Sequence, residues 1–376
     1  MAETAKAPAG LRNVTAGESR ICTIDGERGV LSYAGIDIHE LAERSTFEEV
    51  VFLLHEARLP RRAELESLRA DLVRERGLPR PVEDLVRSLP QGAHPMAALR
   101  TAVSALGVFD PDAADDTPPA RARKARRLVA QMATVVAAIE RARRGREPVA
   151  PDGALSHAAN FLHMLTGERP GRTAERAMDV ALVLHADHEF NASTFTARVV
   201  ASTLADVHSA VAAALGALKG PLHGGANEAV MRMLREVGPL DQAEPWLREA
   251  LAAKKKVMGF GHAVYRTEDP RATHLRELSR KLGEEKGDAH WFQVSQRLEG
   301  LMKAARGLNA NVDFYSASLY HVMGIPTDLF TPVFAVSRIA GWTAHVLEQL
   351  GNNKLIRPEA DYTGPRGVAY LPLDRR

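Results

Sequence analysis

Four short stretches of this 376-residue sequence set histidine, aspartate and arginine among glycines and apolar residues. In VMGFGHAVYRTEDPR (257–271), His262 stands between Gly261 and Ala263, with Arg266 and Arg271 four and nine positions further on. Glycine lets the backbone come close to a ligand, and paired guanidinium groups offer forked donors to carboxylate or phosphate. The stretch suits an imidazole that polarises or protonates a polyanionic substrate. It also suits a loop whose arginines form surface ion pairs, worth about 0–1 kcal/mol each.

The other three stretches each allow a chemical and a plainer reading. In HADHEFNAST (185–194), His185 and His188 are three apart, hence on one face if helical, with Asp187 and Glu189 beside them. They could bond internally at a helix break, bind zinc or iron without the usual H-E-x-x-H order, or donate to an anionic or carbonyl oxygen. In GPLHGGANEAV (220–230), His223 precedes two glycines and a helix start, whose unpaired N–H groups attract anions. A glycine turn with an incidental histidine fits as well. In LNANVDFYSASLY (308–320), Asp313 lies between Val312 and Phe314. Desolvation there makes a carboxylate more basic, as a general base needs; an N-cap aspartate is the alternative. The remaining ten histidines stand singly and read as packing or surface residues.

The elements that must hold these groups are helical. Residues 21–35 alternate around Asp25–Gly29 as a small hairpin. Ser45 and Glu48 have capping-box spacing ahead of a helix stopped by Pro60. Helical periodicity continues over 63–77, from Pro81, over 93–108, 121–144 and 156–165, then 173–217 with a break at 185–193. DPDAADDTPP (110–119) reads as a surface loop with nothing to pack a core. Helices resume over 226–237, 245–256, 270–283, 289–306, 312–322 and 329–350, before a turn-rich tail. The predicted class is all-α with a minor N-terminal β-hairpin, held by helix–helix packing. Neither a P-loop nor a strand-borne G-x-G-x-x-G is present, which argues against both nucleotide folds.

With 49 basic and 47 acidic residues there is no broad positive field for nucleic acid. A single cysteine, Cys22, excludes a disulfide framework and a thiolate zinc cluster. Residues 1–10 read as a frayed end without a signal peptide's apolar run, and no segment approaches 18 uninterrupted apolar residues. A cytoplasmic protein of two lobes, free of the membrane, is expected.

Seven segments in order, TIDGERGVLSYAGIDIHELAERSTFEEV, HADHE, PLHGGANEAV, GFGHAVYRTEDPR, NVDFYS, LFTPVFAVSRIAGWTAHVLEQ and NNKLIRPEADYTGP, span nearly the whole chain. Together they resemble the citrate synthase family, in its shorter, dimeric bacterial and archaeal form. The resemblance implies condensation of acetyl-CoA with oxaloacetate and water to give citrate and CoA, the first step of the tricarboxylic acid cycle. It places the catalytic set on His223, His262 and Asp313. Asp313 would be the base for the thioester's methyl proton and His223 the donor to the enolate oxygen. His262 would polarise the ketone of oxaloacetate. The carboxylates of oxaloacetate would meet His188, Arg271, Arg338 and Arg357, the last from the partner subunit of a homodimer. Arg266, Lys303 and Arg306 would meet CoA. No metal or redox cofactor is implied.

The same resemblance divides the chain into a large helical domain (1–220 and 322–376) and a small one (221–321), whose closure would exclude water. Animal and some bacterial members have His-Glu-Gly-Gly-Asn where this chain has His188-Glu-Phe-Asn191, which leaves a substrate contact from Asn191 open. The nearest rival activity is 2-methylcitrate synthase, using propionyl-CoA, or an enzyme with both activities. One methylene is worth only about 1–3 kcal/mol of discrimination. A non-catalytic helical binding protein is the reading from another class; the intact histidines, aspartate and arginines argue against it.

Overall fold

The computed structural model describes residue 10 and residues 14–376. The frayed end expected over 1–10 therefore falls largely outside the described residues. The hairpin forms from β1 (Cys22–Asp25) and β2 (Val30–Tyr33), and a two-residue strand, β3 (Ile36–Asp37), extends it as a third antiparallel member.

Sixteen α-helices follow among the described residues. The first seven are α1 (Ile38–Arg44), α2 (Phe47–Glu56), α3 (Arg62–Arg74), α4 (Arg80–Ser88), α5 (Pro95–Val108), α6 (Pro118–Arg143) and α7 (His157–Thr166). Next come α8 (Arg172–His185), α9 (Ala192–Ser202), α10 (Val207–Leu218), α11 (Ala226–Val237) and α12 (Ala243–Ala252). The last four are α13 (Pro270–Lys286), α14 (His290–Arg306), α15 (Val312–Val322) and α16 (Phe330–Gly351). The all-α class with its small sheet is what the sequence predicts.

Helix α16 is apolar on every side, the pattern of a helix with no solvent face. It is buried along most of its length and packs on α2, α6, α8, α9 and α10. Helices α11 to α15 pack chiefly on one another, α13 and α11 against α15, and α12 against α14. The catalytic candidates sit where these two groups of helices meet.

Three local expectations need correction. The capping box is made by Thr46 and Glu49, one residue later than predicted. Ser45 instead ends α1 with its hydroxyl on Leu41 O, and the buried Glu48 accepts from His157 N at 2.9 Å. The acidic segment 110–119 is not all surface: Asp110 is buried and accepts two 2.7 Å bonds from Arg127. A carboxylate can enter a core when a guanidinium accompanies it. The run 173–217 also breaks a second time, between α9 and α10, where Asp206 caps the next helix.

Candidate active site

His262 is held by its own loop. Val264 N–H and Tyr265 N–H both donate to its Nδ1, at 3.0 and 3.2 Å. That nitrogen must carry the lone pair, so Nε2 carries the proton of a neutral ring. Burial, then the charge of Arg271, lowers its pKa to about 4, with Asp269 opposing. The loop keeps its shape by pairing with the lead-in to α15. Gly261 N bonds Asn309 O at 3.0 Å, and Asn311 N bonds Gly259 O at 2.9 Å. Gly259 has φ +82°, and a Cβ there would lie 2.7 Å from the Phe314 ring and 2.8 Å from Val230. Only glycine fits both constraints.

That pairing delivers Asp313 to the same place. The N-cap of α15 is Asn311, whose side chain accepts from Asp313 N at 3.1 Å. The Asp313 carboxylate is therefore not the cap. It makes no hydrogen bond or ion pair with a side chain among the described residues. Burial raises its pKa to about 6, with Asp269 adding to the rise and Arg271 and Arg338 opposing it.

His223 lies in the turn before α11. Its Nε2 is 2.8 Å from Ser193 Oγ and accepts from Ser193 N at 3.3 Å. The lone pair is thus on Nε2 and the free proton on Nδ1. Trp342 Nε1 donates to Ser193 Oγ at 3.0 Å and holds the hydroxyl against the ring. Burial, with Arg338 second, lowers the His223 pKa to about 4. Both imidazoles are neutral donors at neutral pH, each with one defined N–H.

His188 follows the end of α8, in a turn pressed against α16. At Gly341 of α16 an added Cβ would lie 2.3 Å from Asp187 Oδ1 and 2.4 Å from Ala186 O. Glycine allows that approach, and Gly341 N bonds Ala186 O at 3.0 Å. Asp187 faces His345 Nε2 at 3.3 Å, while His345 Nδ1 accepts from Arg198 at 3.1 Å. His185 contributes Nδ1 to Ala181 O at 2.7 Å, which makes it a helix-end support. Among the described residues no group of three or more His, Cys, Asp or Glu is placed to hold a metal. His188 itself lies 3.2 Å from Tyr265 OH, and its ring centroid is 5.4 Å from that of His262.

Two buried arginines complete the cluster, in different states. Arg271 forms a forked pair with Asp269, at 2.9 and 2.8 Å. Asp269 also caps α13 and accepts from Val312 N at 3.1 Å, which joins α13 to α15. Arg338 donates Nε to His185 O at 2.7 Å and has no acidic partner within ion-pair distance among the described residues. Burial lowers its pKa to about 10. A buried cation without a counter-ion, beside a second guanidinium, is prepared for an anion.

The remaining candidates lie outside this cluster. Arg266 is half exposed, with Nε 3.8 Å from Glu27. Lys303 and Arg306 are exposed in the last turn of α14, just before the segment that pairs with the His262 loop. Arg357 is exposed in the tail, whose Ile356 N bonds Ser202 Oγ at 3.0 Å, at the far end of α9 from Ser193. A single chain does not bring Arg357 to the cluster. Sequence reading passed over Tyr265, Ser193, Trp342 and the ionic role of Asp269. Each carried a faint signal: Tyr265 and Asp269 lie within the His262 stretch, Ser193 within 185–194, and Trp342 within the segment that carries Arg338.

The family description "Citrate synthase, C-terminal domain" matches residues 10–359. "Citrate synthase 2" of Bacillus subtilis is 50% identical over 368 residues, covering 98% of each chain. A 2-methylcitrate synthase of Shewanella oneidensis is 43% identical over 371 residues, again covering 98% of each. Among solved structures, citrate synthase from Pyrobaculum aerophilum superposes with a TM-score of 0.91 at 43% identity, covering 98% of this chain and 95% of that one. The citrate synthase of Thermoplasma acidophilum, solved as a ternary complex with carboxymethyl coenzyme A and oxaloacetate, gives 0.91 at 33% identity, covering 97% and 98%.

Proposed function

The chain belongs to the citrate synthase family, and on that premise we propose how its own residues condense acetyl-CoA with oxaloacetate. The observation that carries the reading is an unpartnered carboxylate, Asp313, among two neutral imidazoles that each present one N–H. Arg338, the free N–H groups of Arg271 and His188 hold the two carboxylates of oxaloacetate. Asp313 takes a methyl proton from acetyl-CoA. A carboxylate near pKa 6 is far too weak a base to do this alone, so Nδ1–H of His223 donates to the thioester oxygen as charge develops there. The enolate carbon attacks the ketone, and Nε2–H of His262 protonates the new alkoxide. Water then cleaves the citryl thioester in the same site, releasing citrate and CoA. Each positioned acid or base contributes about 10²–10⁴ in rate.

The steps are proton transfers, one carbon–carbon bond formation and one thioester hydrolysis, and the reading calls for no metal or redox cofactor. Arg266, Lys303 and Arg306 meet the phosphates of CoA at the rim. The small domain, 221–321, closes on the large one formed by 1–220 and 322–376; the separate packing of α11–α15 supports this division. Arg357 acts across a homodimer. Its tail exposes Leu355, Tyr362, Val368, Tyr370 and Leu373, an apolar surface of the kind that marks an interface. Among the described residues no helix is long and apolar enough to cross a membrane.

Comparing kcat/KM for acetyl-CoA and propionyl-CoA tests the reading. Acetyl-CoA should be preferred by about tenfold or more, the value of one methylene in a shaped pocket. A clear propionyl-CoA preference contradicts it and makes the chain a 2-methylcitrate synthase.

A further inference from the structure

Away from the catalytic cluster, three arginines from two helices line one cavity of about 540 Å³. Arg144 follows the end of α6, and Arg232 and Arg235 lie in the second half of α11. Arg232 and Arg144 each bond one acid of their own helix, Glu228 at 3.2 Å and Glu140 at 2.9 Å. Arg235 has no ion pair among the described residues. The one acid in the lining, Asp328, is held by Arg143 at 2.7 Å and so is already matched.

The cavity floor is the linker from α15 to α16. There the Thr327 hydroxyl is buried without a hydrogen-bond partner. A single arginine near a helix C-terminus is an ordinary complement to the dipole. That accounts for any one of the three, not for their convergence on one cavity. An adjoining cavity of about 440 Å³ shares Arg144 and Asp328 and runs on past Gln91 and His94, leaving room for more than a bare phosphate.

We propose that this groove is a second anion site, for a phosphate-bearing small molecule, and that its occupancy changes turnover. Guanidinium forks from α6 and α11 match phosphate oxygens. The route to the active site is short and rigid. Helix α11 begins just after His223 and α15 begins beside Asp313, and both helices end at this groove. At 1.5 Å per residue the two ends of α11 are roughly 18 Å apart. A ligand bridging Arg144 of the large part to α11 of the small part would bias the closure proposed above, and this coupling rests on that reading.

Pyrophosphate is the probe, titrated calorimetrically into the full-length protein without substrates. An Arg232→Gln/Arg235→Gln double variant should weaken binding by about tenfold or more, while Arg266→Gln, at the CoA rim, should leave the groove's affinity intact. Equal affinity in the double variant and the unsubstituted protein, or a loss confined to Arg266→Gln, overturns the site. Without pyrophosphate the double variant should keep its kcat. With it, only the unsubstituted protein should change its KM for oxaloacetate or acetyl-CoA. Binding with no such change overturns the coupling. Because calorimetry needs no turnover, failure of the groove and failure of the catalytic reading are separable.

Discussion

Arg271 and Arg338 are both almost fully buried, yet their surroundings give them opposite energetic roles. Arg271 neutralises Asp269, which also holds the first turn of α15. Replacing it with methionine strands a buried carboxylate and should cost about 3–5 kcal/mol of stability. Arg338 has no such partner, so Arg338→Met removes an unmatched buried charge and should leave stability unchanged or raised. Both should raise the KM for oxaloacetate. Urea melts beside steady-state kinetics check this; equal destabilisation of the two would contradict the assignment. At this scale the sequence marked which residues matter but not their states. Nothing in NVDFYS says that Asn311 caps the helix and frees Asp313, because that choice depends on where the preceding loop pairs. Nothing in PLHGG says which nitrogen of His223 is protonated, because the answer lies thirty residues away at Ser193.

Among the elements, the sequence located α11 and α15 to the residue, since each follows a glycine or asparagine; α11 carries a clear apolar face and α15 is buried almost all round. It failed where a polar residue is buried against a distant partner, as with Asp110 on Arg127 and Glu48 on His157, because local pattern cannot register a long-range bond. The His262 loop is the element on which the site depends most. Gly259→Ala must place a methyl against Phe314 and Val230 at a positive φ. It should therefore shift the loop that pairs with Asn309–Asn311 and moves with both His262 and Asp313. A fall in kcat of about 10²-fold is expected from an ångström of misplacement, with helical content retained by circular dichroism. Unchanged kcat would show that the loop is more yielding than its contacts imply.

For the molecule as a whole, length pointed to two lobes and turn residues marked the tail, but the bounds of the lobes and the sharing of Arg357 came only through resemblance, since neither closure nor assembly leaves a periodic signature. The proposed sharing of Arg357 has a direct consequence. Asp313→Asn and Arg357→Gln should each be inactive alone. Dimers reassorted from an equal mixture should recover up to about a quarter of full activity, since half are mixed and each mixed dimer holds one complete site. No recovery, with exchange of subunits verified, would place Arg357 in its own chain's site or outside any site.

The central claim is that Asp313 is the base at a site whose two imidazoles only donate. Its most direct test is CoA release from acetyl-CoA and oxaloacetate by Asp313→Asn, followed across pH. Because burial lifts the Asp313 pKa to about 6, kcat/KM of the unsubstituted protein should be full at pH 8 and fall as pH drops through about 6, where the carboxylate takes up its proton. The variant should lose about 10²–10⁴ in kcat at pH 8, with KM for oxaloacetate little altered, and should lose that acid limb. Activity that survives the substitution, or an acid limb that persists in the variant, would contradict the account.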